Sequence, residues 1–228
     1  MNDSDASDRR NFVVLLGGEI SDVTTIGVLP NDARVIAADS GLHLANALGL
    51  EVEAVVGDMD SVDTTALAAV EALGTHVLRF LPDKDASDAE LALSHAASLG
   101  ASHITVVAGR SNRLDHELGN FAVLFLEELR HCEVELRLAG ARVFRLDAHD
   151  GQASSLCLDC LPGDVVGLLP FGGNTHGVTV SGLHWALSNE SLAVNSSRGI
   201  SNRAVEHEVF VSIESGRLLI TVTKGAQT

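Results

Sequence analysis

Two neighbouring segments, Val35-Ile36-Ala37-Ala38-Asp39-Ser40-Gly41 and Ala54-Val55-Val56-Gly57-Asp58-Met59-Asp60-Ser61, set the fold class. In each, a short apolar run without alternation ends abruptly in aspartate. A strand with one wet face alternates apolar and polar residues. A strand covered on both faces is apolar throughout, as in a parallel sheet between helices. The same kind of run recurs at Phe12–Leu16, His76–Leu81 and His103–Ala108. Between the runs, Ser87-Asp88-Ala89-Glu90 has the form of a capping box opening a helix toward Leu99, with Gly100 as its stop. After Asp115, the residues Leu118, Phe121, Ala122, Phe125 and Leu129 share one helical face, which predicts a helix ending near Arg130.

Beyond about residue 140 the helical pattern stops and glycine turns separate short strands. Val209, Val211 and Ile213 alternate with polar residues, Glu214-Ser215-Gly216 turns, and Leu218, Ile220 and Val222 alternate again, which predicts a hairpin. Gly163–Pro170 and Val178–Leu187 supply further strands around a Gly172-Gly173 turn. The expected organisation is an α/β domain over residues 1–140, with a loose polar tail at 1–10, and a β domain over 141–228.

The chain has 228 residues, 46% of them hydrophobic, enough to bury a core. Phe12–Leu16 is too short for the apolar centre of a signal peptide, and no run approaches a membrane span, so a soluble cytoplasmic protein is expected. A net charge of −16 excludes a broad basic face for nucleic acid, so a phosphate ligand has to be met locally. Lys84 and Lys224 are the only lysines, and Lys84 sits inside an acidic run. Cys132, Cys157 and Cys160 are too few for a structural zinc site and suit a reducing compartment.

Ligands of open parallel sheets bind beyond the carboxyl ends of the strands. Beyond those ends the chain is acidic: Asp39, then Asp58 and Asp60, then Asp83-Lys84-Asp85-Ala86-Ser87-Asp88. Any one of these could be a turn residue or a helix-dipole partner, but with Asp115 after His103–Ala108 four strand ends repeat the pattern. Two like charges 4 Å apart cost roughly 4 kcal/mol at an effective dielectric of 20, so such a rim calls for a cation. Carboxylates in this number suit Mg²⁺, which is held by one or two of them together with substrate phosphates. Asp58 and Asp60 can share the metal, and Asp85 and Asp88 can complete its shell. The fourth loop brings Arg110, Arg113 and His116 to the start of a helix, a natural phosphate site. There is no Walker loop, and Gly17-Gly18 is too weak for a dinucleotide fingerprint. The residues themselves indicate a Mg²⁺-dependent enzyme of phosphate esters or nucleotides and leave the acceptor open.

These segments resemble, in order, the motifs of the thiamine pyrophosphokinase family. They are Ala38-Asp39-Ser40-Gly41, Gly57-Asp58-Met59-Asp60-Ser61, Asp83-Lys84-Asp85-Ala86-Ser87-Asp88-Ala89-Glu90 and Arg113-Leu114-Asp115-His116, then Gly182-Leu183-His184-Trp185-Ala186-Leu187 and Ser197-Arg198-Gly199-Ile200-Ser201-Asn202. The resemblance implies an α/β catalytic domain that binds ATP and Mg²⁺, a thiamine-binding β-sandwich, and a homodimer with sites at the subunit interface. It implies Asp58, Asp60 and Asp88 as metal ligands, with Asp85 and Asp115 also in the catalytic set. Asp39, Lys84, Ser87, Arg110, Arg113 and His116 fall on the nucleotide side, and Trp185, Ser201 and Asn202 on the thiamine side.

A tryptophan face also suits a cationic thiazolium on physical grounds, although core packing is an equal reading of a lone Trp. Ser87 stands where the family has threonine, Ser111-Asn112 where it has Gly-Gly, and Arg203-Ala204 where bacterial members often have Glu-Phe. The nearest alternative is a diphosphokinase for another heterocyclic alcohol such as a hydroxymethyl-dihydropterin. A nucleotide-sugar glycosyltransferase fits the acidic strand ends poorly, and a non-catalytic thiamine or nucleotide sensor has no need of a full metal site.

Overall fold

The computed structural model describes residues 10–225 and divides into two compact units, the first up to Ala139 and the second from Gly140. The expected tail lies outside the described residues except for Arg10, whose carbonyl accepts from the Ser102 and His103 amides and whose guanidinium donates to Leu99 O at 2.8 Å. No helix among the described residues is long and apolar enough to cross a membrane.

The first unit is the α/β half. Its strands are β1 (Asn11–Leu15), β2 (Arg34–Ala38), β3 (Ala54–Gly57), β4 (His76–Arg79), β5 (His103–Ala108) and β6 (Glu133–Leu138). All pair in parallel, in the order β6-β5-β1-β2-β3-β4. The helices are α1 (Gly41–Leu48), α2 (Thr64–Ala72), α3 (Asp88–Ser98) and α4 (Leu114–Ala122). Val13, Leu15, Val35, Ala37 and Val55 cluster with Leu42 and Ala45 of α1 and Leu67 of α2. The alternate residues, Phe12, Val14, Ile36 and Val56, are equally buried, and α3 packs on β1, β2 and β3 through its buried Ala92, Leu93 and Ala96. Burial on both faces is why these strands read as unbroken apolar runs. The order reverses at β1, which pairs β2 on one side and β5 on the other, and such a reversal is where open sheets bind ligands.

Two expectations for this unit change. The helix after Asp115 ends at Ala122 and gives way to 3-10 turns at Val123–Phe125 and Glu127–Leu129, because Leu126 between them is extended at ψ 143°. That bend carries Val123, Leu124, Phe125 and Leu129 into the core, whereas Leu118 stays 59% exposed. A sixth strand, β6, joins the five expected ones. It alternates buried Val134 and Leu136 with polar neighbours, so it lacks the unbroken apolar run that marks the others.

The second unit contains β7 (Ala141–Ala148), β8 (Ser154–Asp159), β9 (Val165–Pro170), β10 (Thr175–Ser181), β11 (Leu187–Leu192), β12 (Asn202–Arg203), β13 (Glu208–Ile213) and β14 (Gly216–Thr223). They form two antiparallel arrays, β12-β9-β14-β7 and β11-β10-β13-β8. One core joins Phe144, Leu146, Leu168, Leu218 and Ile220 of the first array to Leu158, Val178, Val180, Val209 and Val211 of the second. This is a β-sandwich, and each fully buried aliphatic side chain in it contributes about 1.5–3 kcal/mol.

The expected hairpin is not one. β13 pairs with β10 and β8, whereas β14 pairs with β7 and β9, so Glu214-Ser215-Gly216 carries the chain from one sheet to the other. Both strands alternate because both face the shared core. The expected strand Val178–Leu187 also breaks: β10 stops at Ser181, and Gly182, at φ 79°, turns the chain out before β11 begins at Leu187.

Candidate functional site

The acidic strand ends of the first unit gather. Oxygens of Asp39, Asp58 and Asp60 lie within 4.8 Å of one another. The Asp39 amide donates to Val56 O at 2.9 Å, which ties the end of β2 to β3. Asp39 at φ 47° and Met59 at φ 66° occupy the left-handed region, which costs a non-glycine residue about 1–3 kcal/mol and is commonest at functional loops. Gly57 separates them from α3: a Cβ there would stand 3.1 Å from Asp88 Oδ1 and 3.2 Å from Asp39 Cβ. Asp88 opens α3, where the Ser87 hydroxyl accepts from the Glu90 amide at 3.2 Å.

Lys84 lies between two of these acids, its Nζ 3.5 Å from Asp58 Oδ2 and 3.2 Å from Asp88 Oδ1. Burial acts to lower the Lys84 ammonium, but Asp88 and Asp58 outweigh it and raise its pKa. Asp58 is held below the ordinary carboxylate range, chiefly by the Asp60 amide donating to its Oδ1 at 3.3 Å and further by Lys84. Asp39 moves the other way: burial pushes it up, and the charges of Asp88 and Asp60 add to that. Asp39 Oδ1 is buried without a hydrogen-bond partner, and Asp88 Oδ1, equally buried, meets the Lys84 ammonium at 3.2 Å. A buried carboxylate oxygen left open in this way, among hard oxygen donors, fits a divalent cation such as Mg²⁺.

The gathered set differs in one member from the expected metal set, since Asp39 stands with Asp58 and Asp60, while Asp88 joins through Lys84. Asp85 is exposed and outside the group.

Arg110 and Arg113 in the loop after β5, and Asp115 and His116 in the first turn of α4, are all exposed. Arg113 Nη2 donates to Asp115 Oδ2 at 2.8 Å, which lowers the Asp115 carboxyl. Ser111 closes this loop on itself: its hydroxyl accepts from the Arg113 amide at 3.0 Å and its amide donates to Glu117 Oε1 at 2.8 Å. The loop after β1 meets it through Glu19 and Arg110, whose amides donate to each other's carbonyls at 2.8 and 2.9 Å. A Cβ on Gly109 would lie 2.3 Å from the Gly18 carbonyl carbon, so this crossing at the switch of strand order requires glycine. Gly17-Gly18 therefore has a packing role that its weak motif did not reveal.

The second unit has its own pocket, of about 430 Å³, lined by Leu168, His184, Trp185, Leu187, Glu190 and Arg198 among others. Trp185 is 59% exposed, which rules out core packing. His184 meets it edge-on, with ring centroids 5.0 Å apart at 75°. Asn202 is 6% exposed and bonded to the Trp185 backbone, whereas Ser201 is exposed at φ 62°. Glu190 and Arg198 form an ion pair at the pocket. Nothing in the sequence marks that pair beyond two opposite charges eight residues apart, and His184 occupies the unspecified position of its motif.

Two family models match the chain: thiamin pyrophosphokinase, catalytic domain, over residues 27–136, and thiamin pyrophosphokinase, vitamin B1 binding domain, over residues 156–218. Thiamine pyrophosphokinase 1 of Arabidopsis thaliana is 27% identical over 173 residues, covering 73% of this chain and 63% of that protein. Thiamine pyrophosphokinase of Bacillus subtilis is 24% identical over 188 residues, covering 81% of this chain and 85% of that one. The chain thus spans less than two thirds of the plant relative's length. Among solved structures, Bacillus subtilis thiamine pyrophosphokinase superposes with a TM-score of 0.80 at 22% identity, over 94% of this chain and 99% of that one. Thiamin pyrophosphokinase from Candida albicans gives 0.75 at 15% identity, over 94% and 88%. Both share the fold.

Proposed function

The chain belongs to the thiamin pyrophosphokinase family, and we propose that it transfers a diphosphoryl group from ATP to the hydroxyethyl oxygen of thiamine, giving thiamine diphosphate and AMP. The proposal rests above all on the acidic cluster of the first unit, where Asp39, Asp58 and Asp60 converge and a buried oxygen of Asp39 has no hydrogen-bond partner.

Asp39, Asp58, Asp60 and Asp88 would hold Mg²⁺, which when bound supplies positive charge against the triphosphate. Lys84, already shared by Asp58 and Asp88, would give its ammonium to phosphate oxygens once a cation takes over the carboxylates. Arg110 and Arg113 are exposed beside the switch of strand order and would bind the outer phosphates by charge. In the second unit the exposed indole of Trp185 offers a face to the thiazolium and pyrimidine rings.

The homodimer of the family is part of the proposal, and light scattering should then give twice the 23.9 kDa of one chain. The reaction itself is tested by supplying ATP, Mg²⁺ and a panel of vitamin alcohols and separating the nucleotide products. AMP with thiamine diphosphate is the expected pair. ADP, or AMP formed only with a pterin alcohol, would reject the assignment.

A further inference from the structure

We infer that Asn202 is a positioning residue, which fixes the backbone of Trp185 and so sets the indole over the pocket without itself binding the ligand. The inference rests on the reading of this pocket as the thiamine side of the site.

Three hydrogen bonds occupy the Asn202 carboxamide. Its Oδ1 accepts from the Trp185 amide at 3.1 Å and from the Arg203 amide at 2.9 Å, and its Nδ2 donates to Trp185 O at 2.8 Å. Both oxygen lone pairs are used, and only one N–H is left on a residue that is 6% exposed. The orientation of the amide is fixed by its partners, since two backbone N–H groups need an acceptor and a carbonyl needs a donor.

The backbone shows why a side chain is needed here. After Gly182 turns out of β10, the chain runs antiparallel to residues 203–205: Val205 N donates to Gly182 O at 2.9 Å, Leu183 bridges Ala204, and His184 N donates to Arg203 O at 2.8 Å. By the alternation of an antiparallel ladder, Trp185 stands opposite Asn202 at a position without backbone hydrogen bonds; the Asn202 backbone is paired with Val166 of β9, and the Asn202 side chain supplies the rung to Trp185 instead. Trp185, 59% exposed and touched by one ring edge, owes its place to this rung rather than to packing around the indole.

Trp185 is the chain's single tryptophan, so its emission anisotropy reports on this residue alone. In the free protein, Asn202→Ala should enlarge the fast component of the anisotropy decay. It should also raise the KM for thiamine about tenfold, as expected for two lost hydrogen bonds, while the KM for ATP stays within about twofold. Asn202→Asp keeps both acceptors but loses the donor to Trp185 O, and should fall between Asn202→Ala and the wild type.

A raised thiamine KM with unchanged anisotropy in the free variants would make Asn202 a direct ligand and overturn the inference. If neither variant folds, hydrogen exchange on the wild type decides: the Trp185 amide should be protected, and fast exchange there rejects the rung. A wild-type protein whose tryptophan emission does not respond to millimolar thiamine would instead reject the pocket's assignment, leaving the anisotropy comparison of the free proteins to stand or fall separately.

Discussion

The acidic rim of the first unit and the pocket of the second are built on opposite principles. The rim is short of positive charge: Asp39 buries an oxygen without a hydrogen-bond partner, and one lysine serves both Asp58 and Asp88. Its residues are held by contacts among themselves, the Asp60 amide on Asp58 and Lys84 on Asp58 and Asp88, and by left-handed backbone at Asp39 and Met59. In the pocket, Asn202 is bonded through both of its polar atoms, but the largest apolar side chain stands in solvent. The rim concentrates negative charge, and the pocket presents a flat apolar face. The difference teaches that a binding site can be recognised by which kind of interaction its own residues leave unmade.

The contrast breaks most sharply if a charge is taken from the rim. Asp58→Asn and Asp88→Asn should fold normally and lose about two or more decades of turnover at saturating Mg²⁺, because each removes charge from the metal shell. Full turnover in either variant would make these carboxylates structural. A smaller effect is expected across the contrast. Trp185→Ala should raise the thiamine KM about tenfold with a lesser change in kcat, the size of a partly desolvated cation–π contact. If kcat fell as far as in the aspartate variants, the indole would belong with the reacting groups.

Stability should separate Asp39 from Asp58 and from Asn202 by sign. The Asp39 carboxyl is raised in the folded protein, so its charge costs metal-free stability at neutral pH, and the cost disappears as pH falls through the raised value. Asp58 is lowered, so its contribution is present above the ordinary carboxylate range and is lost as pH falls through the depressed value. Without metal, Asp39→Asn should therefore raise Tm at pH 7, and the gain should shrink toward pH about 4. Asn202→Ala should lower Tm at both pH values, since it strips partners from buried backbone groups. A melting series with and without Mg²⁺ checks both signs.

Much of the rim was legible because its logic is local. Apolar runs buried on both faces announce parallel strands, and aspartates at their ends mark the face where ligands bind. What escaped depends on partners distant in sequence. The alternation of Val209, Val211 and Ile213 is the same whether the next strand returns to its own sheet or crosses to the facing one, so the crossing at Gly216 reads as a hairpin. The apolar face after Asp115 was real, but burying Phe125 and Leu129 required a break at Leu126 that periodicity does not encode. Asn202 carried a family motif without its reason, which lies in a rung to Trp185 seventeen residues away.

The smallest expected effect concerns the Glu190–Arg198 pair at the pocket. Both side chains are partly exposed, 37% and 53%, so the pair itself stabilises the fold by no more than about 1 kcal/mol. Its role in binding follows from charge. Thiazolium is a cation, and Glu190 would attract it if Arg198 did not neutralise the carboxylate. Arg198→Ala should then lower the thiamine KM by about two- to threefold at low ionic strength, an advantage that fades as salt screens the exposed charge. Glu190→Gln should leave an uncompensated arginine at the pocket and shift the KM by a similar factor in the opposite direction. The double variant should return close to the wild type, since it removes both the attraction and its mask. If Arg198→Ala instead raises the KM at every salt concentration, the arginine contributes packing or a direct hydrogen bond, and the pocket's charge balance is not what tunes its affinity.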